Sequence, residues 1–79
     1  MSLDDYAARY LNPPSFQIGD HVKPWQDIRT GLDVVYAYKG QECIVVEVHK
    51  DFVGVLFKHE VDDTVIRTYI HNWLLEKIE

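Results

Sequence analysis

Apolar residues alternate with other positions along three successive stretches of the chain, and the alternation is compatible with one sheet. Cys43-Ile-Val-Val-Glu-Val-His49 and Phe52-Val-Gly-Val-Leu-Phe-Lys-His59 form a hairpin if the chain turns at Lys50-Asp51. That turn sets Val48 opposite Val53, Val46 opposite Val55 and Ile44 opposite Phe57, all on one face. A second turn at Glu60 to Asp63 brings Ile66, Thr68 and Ile70 opposite Phe57, Val55 and Val53, again on that face. The shared face is the expected core. On this register Val46→Asp unfolds the domain, whereas Val45→Asp, on the outer face, leaves folding largely intact.

The flanks carry other periods. Leu3, Tyr6, Ala7, Tyr10 and Leu11 fall at helical spacing, with Ser2 as N-cap and Asp4 and Asp5 in the first turn. Asn12-Pro13-Pro14-Ser15 ends that helix, because Pro13 disfavours helical geometry at Asn12 and neither proline donates a backbone hydrogen bond. Residues 1–15 therefore read as a helix and hinge, and 16–79 as the β domain. Phe16 to Asp20 leads into a short strand, His21-Val22-Lys23, closed by Pro24. Trp25 to Lys39 reads as a long, ordered, aromatic-rich loop with a turn at Arg29-Thr30-Gly31 and an arm or edge strand at Asp33 to Tyr38. After Ile70, His71-Asn72-Trp73 predicts one tight helical turn before a last strand, Leu75 to Ile78.

The resulting order is strand, long loop, three-stranded meander, helical turn and final strand. It resembles the SH3-like small barrel over roughly residues 16–78, and the expected fold is mainly β: a five-stranded SH3-like barrel with a short N-terminal α-helix. FQIGDHV followed by YKGQECIVVEV looks like the opening of barrels in electron-transport accessory proteins, the type found in a small photosystem I reaction-centre protein and in the nitrile hydratase beta chain. YKGQECIVVEV is also similar to the KOW motif of ribosomal and transcription-elongation proteins, with Glu42 or Cys43 where a second glycine is usual. Peptide-binding SH3 domains have an ALYDY-like run where this chain has VVYAY.

Composition and charge narrow the function. Seventy-nine residues make one small domain with little area to spare for a deep catalytic cleft, so a non-enzyme is expected. Thirteen acids against eight Lys and Arg, a net charge of -5, disfavour a phosphate-backbone ligand and make nucleic acid an unlikely partner. No apolar run reaches the roughly 20 residues of a membrane span, and the N-terminus lacks the basic-then-apolar plan of a signal peptide, so a cytoplasmic location without membrane contact is expected. Cys43 is the lone cysteine and reads as a small apolar group. His21, His49, His59 and His71 lack the short spacing of zinc ligands, and Glu60 with Asp62 and Asp63 reads as a charged loop, so no metal or cofactor is expected.

Two surfaces remain as candidates for a protein partner. Val45, Leu56, Val65, Arg67 and Tyr69 point away from the expected core, giving an apolar outer face that needs a cover: the N-terminal helix, through Leu3, Tyr6 and Tyr10, barrel curvature that partly closes over it, or a partner, which includes a second copy. Trp25, Tyr36, Tyr38 and Trp73 form an aromatic strip that serves either as core or as a groove stacking on a proline-rich peptide or on nucleic-acid bases, with Asp27 and Asp33 at its flanks favouring a basic peptide over a nucleic acid. The expected function is thus a non-catalytic interaction module or accessory subunit. The rivals are a KOW-like nucleic-acid or ribosome-associated module and a regulatory subunit of an enzyme complex.

Overall fold

The computed structural model describes residues 2–29, 35–59 and 62–78. The chain begins with helix α1, Leu3–Leu11, closed at its N-terminus by a capping box. The Ser2 hydroxyl accepts from the Asp5 amide at 3.3 Å, and the Asp5 carboxylate accepts from the Ser2 amide at 3.4 Å. Asn12 ends the helix, donating its amide to the Ala8 carbonyl at 3.0 Å, just before the two prolines.

Among the described residues seven strands follow: β1 His21–Pro24, β2 Ile28–Arg29, β3 Val35–Ala37, β4 Cys43–Val48, β5 Phe52–Lys58, β6 Val65–His71 and β7 Leu75–Lys77. Five form one antiparallel sheet in the order β6-β5-β4-β1-β7, and β2 and β3 pair as a separate ribbon. The sheet is open, with β6 and β7 as its edges. A 3-10 turn at Asn72–Leu74 carries the chain from β6 to β7. The β2-β3 ribbon is a correction to the expected loop: its strands are too short to show a period, and its base is fixed by the Asp27 carboxylate, which accepts from the Lys39 amide at 2.9 Å. Thr30 to Val34, which include Asp33, lie outside the described residues, as do Glu60 and Val61.

The hairpin turn at Lys50-Asp51 closes as predicted, with the His49 amide donating to the Phe52 carbonyl at 3.0 Å. The β5-β6 register is also the predicted one, pairing Val53 with Ile70, Val55 with Thr68 and Phe57 with Ile66. In β4 the prediction fails beyond Val48. Val48 does face Val53, but a bulge between Val45 and Glu47 makes Val46 an extra residue, so Val45 pairs with Val55 and Ile44 with Leu56. One inserted residue reverses the side-chain parity of the rest of the strand. Val45 and Cys43 therefore point inward, and Ile44 points outward.

Val45 is 0% exposed and sits in a core with Val22, Val53, Val55, Ile70 and Leu75. Its amide donates to the Asp20 carbonyl and its carbonyl accepts from the Gly19 amide, where Gly19 takes a left-handed φ of 94°. Phe16 and Phe57 close the core's margins, with Ile28 and Ala37 contributed by the ribbon.

Candidate functional site

The outer face is built from alternate residues of the same strands. Ile44 on β4, Leu56 on β5 and Val65 on β6 line an open depression of about 420 Å³, joined by Gln41, Glu42, Phe57 and Lys58. Ile44 is 41% exposed and Val65 58%. Alternation along the strands puts Leu56, Val65, Arg67 and Tyr69 on this face, and the structure places them there. Val45 is corrected: it belongs to the core, and the bulge puts Ile44 in its place.

Farther along the same face stands a polar and aromatic cluster. Glu47 follows the bulge and lies across from Gly54, where the missing side chain leaves room for the carboxylate and for the Tyr69 ring. The Glu47 carboxylate accepts from the Arg67 guanidinium at 2.7 Å, from the Tyr69 hydroxyl at 3.1 Å and from His49 Nε2. These bonds, the Arg67 one foremost, hold the Glu47 carboxyl below its ordinary pKa. The His49 ring stacks on Phe52 with centroids 4.5 Å apart, and Tyr69 meets Phe52 edge to face at 5.6 Å. With His71 these residues frame a second shallow depression. Strand alternation alone does not single out Glu47, His49 or Phe52. The available signal is Gly54 in an otherwise bulky strand, since an interior strand glycine marks a close approach from a neighbour.

Gly54→Ala tests this packing. A methyl group there meets Glu47 Cβ at 3.0 Å and Tyr69 Cε1 at 3.3 Å. The expected result is a loss of about 1–3 kcal/mol from overpacking, read as a lower midpoint in urea. An unchanged midpoint would show that the two side chains move aside freely.

The aromatic strip has a different fate. Trp25, 5% exposed, and Trp73, half-buried, lie with ring centroids 6.0 Å apart. The Trp25 indole N–H donates to the Trp73 carbonyl at 2.7 Å, and the Trp25 amide donates to the Leu74 carbonyl at 3.2 Å. Helix α1 lies over this pair. Tyr6 meets Trp25 edge to face at 4.9 Å, Tyr10 meets Trp73 at 5.4 Å, and Arg9 sits 4.9 Å from the Trp25 ring centre. Arg9 also pairs with Glu76 at 3.6 Å, and the Tyr6 hydroxyl donates to Gln26. The alternative in which α1 covers the outer face through Tyr6 and Tyr10 is thus corrected: both rings go to the tryptophans, and Arg9 between them goes to Glu76. Tyr38 is exposed and, among the described residues, makes no ring contact with either tryptophan. The Tyr36 side chain lies outside the described part of the structure.

Cys43, His21 and His59 are tied locally. Cys43 is buried, and desolvation, with a smaller contribution from Glu42, pushes its thiol up to about 12. It stays protonated at neutral pH. His21 pairs with Glu42 at 3.0 Å, and His59 approaches Asp62 at 3.6 Å. Among the described residues no three His, Cys, Asp or Glu side chains stand close enough to hold a metal ion, and no helix is long and apolar enough to cross a membrane. Compared with protein-family models, curated proteins and solved structures, the chain gives no significant match.

Proposed function

We propose that this chain is a non-catalytic protein-interaction module or accessory subunit, built on an SH3-like small barrel, whose partner docks on the outer sheet face. The barrel reading is supported by the strand order β6-β5-β4-β1-β7, with the β2-β3 ribbon inserted between β1 and β4 and a 3-10 turn before β7. That is the order of strand, long arm, meander, helical turn and final strand found in such barrels.

The observation that carries the functional reading is the apolar depression between Ile44, Leu56 and Val65, on a face where Ile44, Val65 and Tyr69 are exposed. A cluster of exposed and half-buried branched side chains with an aromatic and charged border has the composition of an interface centre and rim. The border supplies orientation: Lys58 and Glu42 at one end, and the Arg67-Glu47-Tyr69 cluster at the other. Arg67, Glu47 and Tyr69 are engaged with one another on an open surface, an arrangement suited to docking rather than to proton transfer in a cleft.

A photo-crosslinking residue at Val65 is expected to trap a protein partner in cells, and the adduct is expected to vanish when Leu56→Glu is added. The same probe at Ile18, exposed and not among the residues lining the depression, serves as control. Equal adducts from both positions, or a Val65 adduct indifferent to Leu56→Glu, would overturn the reading. An adduct of twice the chain mass identifies the partner as a second copy.

A further inference from the structure

The tryptophan strip offers a second binding surface, independent of the outer face, and its ligand chemistry is visible because a segment of the chain already occupies it. The receptor side is assembled without α1. Trp25 is fixed by its indole bond to the Trp73 carbonyl and its amide bond to Leu74, while Glu76 is carried by β7 and approached by Lys23 of β1 at 3.8 Å. Helix α1 brings one face to this surface: Tyr6 and Tyr10, four residues apart, with Arg9 between them directed to Glu76.

The occupant is weakly committed. No residue of α1 is buried, and Leu3 is 87% exposed. A nine-residue helix is far below the length of about 12–15 residues at which an isolated helix becomes even marginal, so α1 persists only while docked. Between its end and Phe16, the first core residue, lie only Asn12, Pro13, Pro14 and Ser15. Release of α1 therefore uncovers Trp25 but leaves the contacts within the main core cluster, which includes no α1 residue, in place, and this puts it among the low-energy openings of the fold.

We infer that the Trp25-Trp73 strip is a helix-binding groove, filled in cis by α1, from which a partner helix of the form aromatic-x-x-Arg-aromatic displaces it. Aromatic edges meet the indole faces, and the arginine pairs with Glu76. The short tether gives α1 an effective concentration on the order of millimolar, so it holds the groove against weak competitors and yields to a helix with more contacts.

The test uses the full chain and a peptide of α1's own sequence, SLDDYAARYLN, added in trans. Trp25 and Trp73 are the protein's two tryptophans and the peptide has none, so indole emission reports the groove alone. Two variants empty the groove without altering it: Tyr6→Ala with Tyr10→Ala, and Ala8→Pro, which breaks the helix. The peptide is expected to bind either variant at least about tenfold more tightly than wild type, because the tethered competitor is gone. A peptide with both tyrosines replaced by alanine is expected not to bind. Equal affinity for wild type and variants, or no binding to folded variants, would overturn the inference. So would loss of the sheet's circular dichroism in both variants, since α1 would then be an integral part of the fold.

Discussion

Val45→Asp is expected to leave no folded protein at 25 °C, whereas Val46→Asp, one residue along, is expected to cost on the order of 1 kcal/mol. Val45 has no exposed surface and is packed among Val22, Val53, Val55 and Cys43 in the core, so a carboxylate there meets no polar partner. Burying it costs several kcal/mol whether it is charged or forced to take up a proton. A 79-residue domain has about 4–12 kcal/mol in total, at ~0.05–0.15 kcal/mol per residue. Val46, the extra residue of the bulge, is half-buried, and its substituent has a route to water. Thermal melts followed by circular dichroism measure both. The reverse ranking follows from a regular hairpin, so the pair is a direct assay of the bulge. Intact folding in Val45→Asp would return β4 to the unbulged register and take Ile44 off the outer face.

That reversal shows which parts of the fold the sequence makes legible. In β6 the polar residues Arg67, Thr68 and His71 break the apolar run, and only one parity places Ile66 and Ile70 against Phe57 and Val53. The register is therefore readable. In β4 the run Cys-Ile-Val-Val is apolar at both parities and Glu47 then marks the parity of Val45 as the polar one, so alternation points to Val46 as the core residue and the bulge overturns it. The bulge itself is a backbone event, and Gly54 opposite Glu47 is its one compositional trace. The helix is readable from Ser2, Asp5 and the spacing of Tyr6 and Tyr10, because capping and amphipathicity are local. Its destination is not, because two apolar faces compete for it and the decision rests on indole orientation and the Arg9-Glu76 pair. Of the candidate site, Leu56, Arg67 and Tyr69 follow from parity. Ile44, Glu47, His49 and Phe52 depend on the bulge or on cross-strand stacking.

The second large effect concerns Trp25, which stands outside the main core cluster yet is almost fully buried. Trp25→Ala is expected to cost about 3–5 kcal/mol, the range for truncating a buried aromatic side chain. Its distinguishing consequence is spatial. The substitution removes the ring that Tyr6 meets edge-on and that Arg9 covers, so α1 loses its dock as well as the sheet losing packing. Hydrogen exchange is expected to show the amides of Leu3–Leu11 unprotected under conditions where those of β5 are still slow. Trp25→Phe separates the two contributions. It keeps an aromatic face for Tyr6 and Arg9 but removes the indole donor from the Trp73 carbonyl, an expected loss of about 1–3 kcal/mol with α1 still protected. Trp73→Ala completes the comparison: half-buried, it matters less to the sheet, but it takes away the ring that Tyr10 meets, so α1 is again expected to lose protection. If α1 instead stays protected in both alanine variants, its anchor is the Arg9-Glu76 pair and the Tyr6-Gln26 hydrogen bond, and the tryptophans serve the fold alone.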